Sequence, residues 1–197
     1  MKDQPLPALH LEVNPEHLHL FTTLLQSGIE VKTNAGTEMG HFLATLDGFT
    51  PEYIANTVET IFLNGSPVDD LKLTFSGKTP VLALSAAMPG LAGAIFRKNS
   101  FHSPLRTQTD SLHFEDKKQK EISVTLKLFN SIAKERGAAL LRDGISIKAD
   151  KLHNFLQKRD SLLNYIIAIR LNNNTLSKTA LLPTLQQVTT IHLKISA

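Results

Sequence analysis

Two halves of this chain spell one pattern twice, and that constrains the fold more than any other feature of the sequence. Leu24-Leu25-Gln26-Ser27-Gly28-Ile29-Glu30-Val31-Lys32 is answered by Leu140-Leu141-Arg142-Asp143-Gly144-Ile145-Ser146-Ile147-Lys148. His41-Phe42-Leu43 matches Asn154-Phe155-Leu156, and Ile61-Phe62-Leu63-Asn64-Gly65 matches Ile169-Arg170-Leu171-Asn172-Asn173. Val81-Leu82-Ala83-Leu84-Ser85 matches Ile191-His192-Leu193-Lys194-Ile195. The matches fall in one order at a spacing of roughly 110 residues, which points to a duplicated unit and not a short solenoid repeat.

Hydrophobic patterning gives the units their elements. In the first half, Leu9-His10-Leu11-Glu12-Val13 alternates as a half-buried strand does. Ile29 to Lys32 is a second short strand after Gly28. Met39, Phe42, Leu43 and Leu46 sit at helical spacing, with Thr37 as N-cap and Gly48 as terminator. Thr50-Pro51-Glu52 opens another helical turn, with proline where its missing N–H is harmless. Val58–Leu63 and Val81–Ser85 are strands, the first closed by the Asn64-Gly65 turn. The second half repeats this order. Ile122 to Leu128 alternate, Ile145 and Ile147 form a short strand, and Asp150 caps a helix through Leu152, Phe155 and Leu156. Ile167–Leu171 and Ile191–Ile195 are strands again. Each half thus reads strand, strand, helix, strand, loop, strand. Phe42 and Phe155 are expected at equivalent core positions.

These elements resemble the ubiquitin-like β-grasp fold, and within it the small sulfur carriers of molybdopterin and thiamin biosynthesis. The residues that carry the likeness are Thr60-Ile61-Phe62-Leu63-Asn64-Gly65-Ser66-Pro67-Val68-Asp69-Asp70, then Pro80-Val81-Leu82-Ala83-Leu84-Ser85-Ala86-Ala87. In the second half, Val124-Thr125-Leu126-Lys127-Leu128-Phe129 resembles the carriers' opening strand. The resemblance implies an α+β chain of two tandem β-grasp domains, each a mixed sheet packed on one helix. Their expected limits are 1–94 and 122–197, with 95–121 as an inter-domain segment. Phe96, Phe101, Leu105, Leu112 and Phe114 make the early part of that segment too apolar for a free tether, and it is expected to pack against domain one or in the interface. The carriers act through a C-terminal Gly-Gly, whereas this chain ends Lys194-Ile195-Ser196-Ala197. Thiocarboxylate chemistry is therefore not carried over with the fold.

Composition narrows the function classes. With no cysteine in 197 residues, disulfides, thiolate metal sites and thiol nucleophiles are excluded. No apolar run reaches the ~18 residues of a membrane span, and Met1 to Pro5 lacks signal-peptide features. A cytoplasmic protein without membrane partners is expected. Residues 1–98 carry 6 Lys/Arg against 10 Asp/Glu, and residues 99–197 carry 15 against 8. That split suggests an acidic domain docked on a basic one, or a basic half facing an anion.

No nucleophile elbow, phosphate loop or dinucleotide fingerprint occurs in the chain. His17 and His19 would share one face of a strand but lack a third ligand at zinc spacing. His102 and His113, with Asp110, Glu115 and Asp116, have the same shortfall. Asp69-Asp70 reads as an exposed turn before it reads as a catalytic pair. No metal, cofactor or catalytic residue is assigned.

The strongest candidate is the stretch after the Val81–Ser85 strand. Met88, Pro89, Gly90, Leu91 and Gly93 place small and apolar residues where a polar loop is expected, suiting a partner-binding loop. Arg97, Lys98 and Arg106 follow as candidate anion-binding residues or as a polar rim. The plainer alternative is that these small residues pack against the sheet. The expected function is a non-enzymatic adaptor or accessory protein that binds a protein partner. Two alternatives stand beside it. One is an RNA-binding module that uses Lys and Arg 134, 136, 142, 148, 151, 158, 159 and 170, with Phe129, Phe155 and Tyr165 as the available aromatics. The other is a sulfur-carrier-like component of cofactor biosynthesis.

Overall fold

The first half of the chain runs β1 (Ala8–Val13), α1 (Leu18–Phe21), β2 (Ile29–Asn34), α2 (Met39–Ala44), α3 (Pro51–Asn56), β3 (Thr60–Leu63), β4 (Ser66–Pro67) and β5 (Val81–Ser85). 3-10 turns at Pro15–His17 and Thr22–Ser27 flank α1. Next come α4 (Gly90–Phe96) and a 3-10 turn at Ser103–Leu105. The second half runs β6 (Glu121–Leu128), α5 (Asn130–Asp143), β7 (Ile145–Lys148), α6 (Ala149–Gln157), a 3-10 stretch Asp160–Tyr165, β8 (Ile166–Leu171), β9 (Asn174–Thr175), α7 (Lys178–Leu185) and β10 (Thr190–Ser196). This is a computed structural model, and it describes residues 5–75, 77, 79–106 and 121–197.

The order strand, helical segment, strand, helix, two-strand hairpin, closing strand occurs in both halves. The hairpin turns agree in backbone geometry. Asn64 and Gly65 have φ of 52° and 86°, and Asn172 and Asn173 have 48° and 69°. Positive φ at both central residues is the tight-turn geometry that matches strand twist.

Pairing, however, does not follow the halves. Among the described residues the ten strands form one continuous mixed sheet in the order β4-β3-β5-β6-β2-β7-β10-β1-β8-β9. The expectation of two tandem ubiquitin-like β-grasp domains is thereby overturned. β1 lies parallel to β10, with Leu9 opposite Leu193, and antiparallel to β8, with Leu11 opposite Ile169. All its long-strand partners belong to the other half of the sequence. β6 likewise lies parallel to β5, with Leu82 opposite Leu126. The opening strands of the two repeats are exchanged.

The chain accordingly divides into one unit of Met1–Glu30 with Arg136–Ala197 and another of Val31–Glu135. In the first, the buried faces of β1 (Leu9, Leu11, Val13) and β10 (Ile191, Leu193, Ile195) form the sheet side of the core. Phe155 of α6 is buried, with Arg159 lying 4.8 Å over its ring. In the second, Ile61, Leu63, Leu82, Leu84, Leu126 and Leu128 form the core face. Phe42 of α2 meets the edge of Phe75 at 4.9 Å. The charge split of the sequence also changes: the first unit holds 10 Lys/Arg against 7 Asp/Glu, and the second holds 11 of each. An acidic domain docking on a basic one therefore has no counterpart in these units.

Helix starts differ in detail from the sequence reading. α3 is capped as expected, the Tyr53 N–H donating to the Thr50 hydroxyl at 3.1 Å. α2 begins after Glu38, and Thr37 instead bonds Thr33 through its hydroxyl. α6 begins after Lys148, so Asp150 sits in its first turn, where a carboxylate suits the helix dipole.

Candidate functional site

The stretch from Met88 to Arg106 in the Val31–Glu135 unit is an arm held in place by polar bonds. Met88 to Gly93 was expected to be a loop, but α4 begins at Gly90. Gly93 is fixed by close approach: a Cβ there would lie 1.7 Å from the Met88 carbonyl oxygen. Any larger residue collides with backbone, so Gly93 is part of how the helix doubles back on its own entry. Phe96 anchors the end of α4, its ring meeting Phe62 of β3 edge-on at 5.4 Å.

The three basic residues expected to bind an anion are engaged within the unit. Arg106 is nearly buried; it donates to Asp69 Oδ1 at 2.9 Å and from Nε to the Ile95 carbonyl at 2.9 Å. Arg97 meets Glu59 at 2.6 Å, as an ion pair and not an aligned hydrogen bond. Lys98 Nζ donates to the Ile54 and Ala55 carbonyls at 2.9 and 3.4 Å, in the last turn of α3. Burial pushes the Lys98 pKa below its ordinary 10.5, while the carboxylates of Asp69 and Glu59 pull it back up. These cations brace the arm. Asp69 thereby also has a structural partner, and Asp70 Oδ1 accepts the Lys72 N–H in a local turn.

Three of the arm's apolar residues are exposed. Leu91 is 72% exposed, Phe101 93% and Leu105 66%. Only Leu6 and Ile167 join them as exposed large apolar residues among the described residues. Met88 is half-buried, and Pro89 and Gly90 are exposed. Sequence reasoning packed Phe96, Phe101 and Leu105 together against domain one or its interface. Phe96 does pack inward, whereas Phe101 and Leu105 present their side chains to solvent. Leu112 and Phe114 lie outside the described residues.

Beside the arm, the outer face of β3, β5 and β6 carries an open groove of about 420 Å³. Phe62, Val81, Ala83, Met88 and Phe129 line it, with Ser85, Lys127 and Asn130 as its polar lining. The sequence did hold a signal for it. Val81–Ser85 is apolar on both faces of the strand, as strands covered on both sides are.

The remaining candidates fall away from one another. His17 and His19 lie in helical turns, not on a strand. The His17 ring stacks on Tyr165 at 3.7 Å, and His19 Nδ1 bonds the Glu16 carbonyl. His102 packs edge-on to Phe101, while Asp110, His113, Glu115 and Asp116 lie outside the described residues. No cluster of three metal-ligating side chains occurs among the described residues. Of the basic residues proposed for RNA, Lys151 pairs with Glu30 at 3.7 Å and bonds the Gly28 carbonyl. Phe155 is core and Tyr165 stacks on His17, while Phe129 lines the groove. One nucleophile–base contact does arise, His10 Nε2 with Ser196 Oγ at 2.8 Å. No described helix is long and apolar enough to cross a membrane. Comparison with protein-family models, with curated proteins and with solved structures finds no match to this chain.

Proposed function

We propose that this protein is a non-enzymatic binding module that docks a protein partner on the apolar tips of the 88–106 arm. One observation carries the reading: three of the five exposed large apolar side chains among the described residues fall within fifteen residues of a braced segment. Exposed apolar residues scattered singly need no explanation, but a concentrated set marks an interaction site. Bracing matters because a pre-ordered arm loses little conformational freedom on binding. The Arg106–Asp69 and Lys98–Ile54 contacts supply that order. The sheet edges are poor alternatives. β4 and β9 are two residues each, and β4 contains Pro67, so neither offers a run of free backbone for strand addition.

The test is a pull-down from the native host after nuclease treatment, comparing the parent with Phe101→Asp/Leu105→Asp. A partner is expected on the parent and weakened at least about tenfold on the variant, as for hot-spot residues. Both positions are largely solvent-exposed, so the thermal midpoint should move by no more than about 2 °C. Equal recovery by parent and variant, or recovery that vanishes with nuclease, would overturn the reading.

A further inference from the structure

We propose that the groove on β3, β5 and β6 binds a small amphiphile with an apolar body and one carboxylate, a medium-chain alkyl or aryl carboxylic acid. This site is separate from the exposed tips of the arm and does not depend on the partner reading.

The groove is a trough made by side-chain size. On β5 the outward residues are Val81 and Ala83, which are short. Phe62 on the neighbouring β3 and Phe129 at the end of β6 stand taller on either side, and Met88 contributes to the lining. Its volume of about 420 Å³ falls within the range of small-molecule sites. The floor offers nothing to a peptide backbone. β5 is bonded to β3 on one side and β6 on the other, so its own N–H and C=O groups are used in the ladder. The occupant is therefore a compact apolar body and not an extended chain.

The polar lining selects its charge. Lys127 stands opposite Ala83 in the parallel register of β5 and β6. In this unit Arg97 pairs with Glu59, Arg106 with Asp69, Lys98 with the Ile54 carbonyl and Lys32 with Glu121, and Lys72 and Lys134 are exposed, whereas Lys127 is half-buried. The Lys127 side chain has no hydrogen bond or ion pair among the described residues. Ser85 lines the same groove, and its Oγ accepts from Asn130 Nδ2 at 2.8 Å, which leaves the hydroxyl hydrogen to donate. An ammonium and a hydroxyl donor in the lining of an apolar trough complement a carboxylate. A cationic head would be repelled, and a neutral one would leave Lys127 unpaired.

The test uses the full chain, titrated with decanoate, decan-1-ol and decyltrimethylammonium below their micelle concentrations and followed by calorimetry and amide chemical shifts. Decanoate is expected to bind at least about tenfold more tightly than the alcohol, the margin of a charge-assisted hydrogen bond. Shifts should centre on Val81–Ser85, Met88 and Phe129. Lys127→Met keeps the apolar stem and should bring decanoate down to the level of the alcohol. Ala83→Leu fills the trough and should abolish both, with its thermal midpoint checking the fold. Any of four results overturns the proposal: no decanoate binding up to about 1 mM, equal binding of the cationic amphiphile, undiminished decanoate affinity in Lys127→Met, or shifts centred elsewhere.

Discussion

Severing the chain between its repeats tests the exchanged strands directly. Residues 1–106 and 121–197 would be produced as separate fragments. Had each repeat folded on its own strands, each fragment would be a stable domain. With exchange, fragment 121–197 lacks β1, the strand that lies between β10 and β8. Leu9, Leu11 and Val13 are at most 2% exposed. Burying a side chain of this kind contributes about 1.5–3 kcal/mol, so the three together contribute roughly 5–9 kcal/mol. A domain's whole stability is only about 5–15 kcal/mol. The loss is of the same size as the total, before counting the ladder bonds of β8 and β10 left open. Each fragment alone is expected to show a collapsed amide spectrum and no cooperative melt. Mixing the two should restore dispersed signals and a single stoichiometric complex. If fragment 121–197 alone gives a dispersed spectrum and a cooperative transition, the exchanged pairing is wrong.

Two further outcomes follow from the arm. Gly93→Ala places a methyl against the Met88 carbonyl, which α4 can relieve only by moving off Phe62. It should destabilise by about 1–3 kcal/mol, read from urea titration, whereas Ala92→Ser at the neighbouring exposed position should be near neutral; equal midpoints for both would refute the close approach. For Lys98, the folded pKa is lowered, so the unfolded chain binds more protons in the window between the folded pKa and 10.5. Its contribution to stability is therefore absent below the folded pKa, grows as pH rises through it, and is complete above 10.5. The stability difference between parent and Lys98→Met, measured by denaturant titration at pH 7 and at pH 10.5, should shift toward the parent at the higher pH. A constant or reversed difference would show that Lys98 is not held in a desolvating site.

The strands were legible because their signal is local. Alternation at Leu9–Val13, Ile122–Leu128 and Ile191–Ile195 has period 2, and each is a strand with its apolar face buried. The exchange was illegible for the same reason. Leu9-His10-Leu11-Glu12-Val13 and Ile122-Ser123-Val124-Thr125-Leu126 present similar faces, so either satisfies either sheet, and patterning names a face but no neighbour. Missed helices had weak seams. α5 turns Ala133 and Gly137 toward the core as well as Ile132 and Leu141, and α7 carries Pro183 inside it. α4 opens with glycine and holds a second one, compositions that read as loop. Within the candidate site, Met88 and Leu91 could be named from their apolar character alone. That Arg97, Lys98 and Arg106 would be consumed as braces could not, since their partners Glu59, Ile54 and Asp69 are 37 or more residues away in sequence.

The exchanged strands also set an order of events during synthesis. Val31–Glu135 is contiguous and holds every strand of its unit, so it can close as soon as residue 135 has left the ribosome. The other unit is interrupted by it. β1 is made before that unit, and its partners β8 and β10 are made after it. About 150 residues must be added before β8 and about 180 before β10, which at ~5–20 residues per second leaves Leu9, Leu11 and Val13 without either partner for roughly 8–30 s. During that interval the nascent chain presents an apolar strand that fits β6 and β1 positions alike. The same interchangeability that lets the finished protein share strands between its halves makes two copies growing side by side candidates for sharing them between molecules.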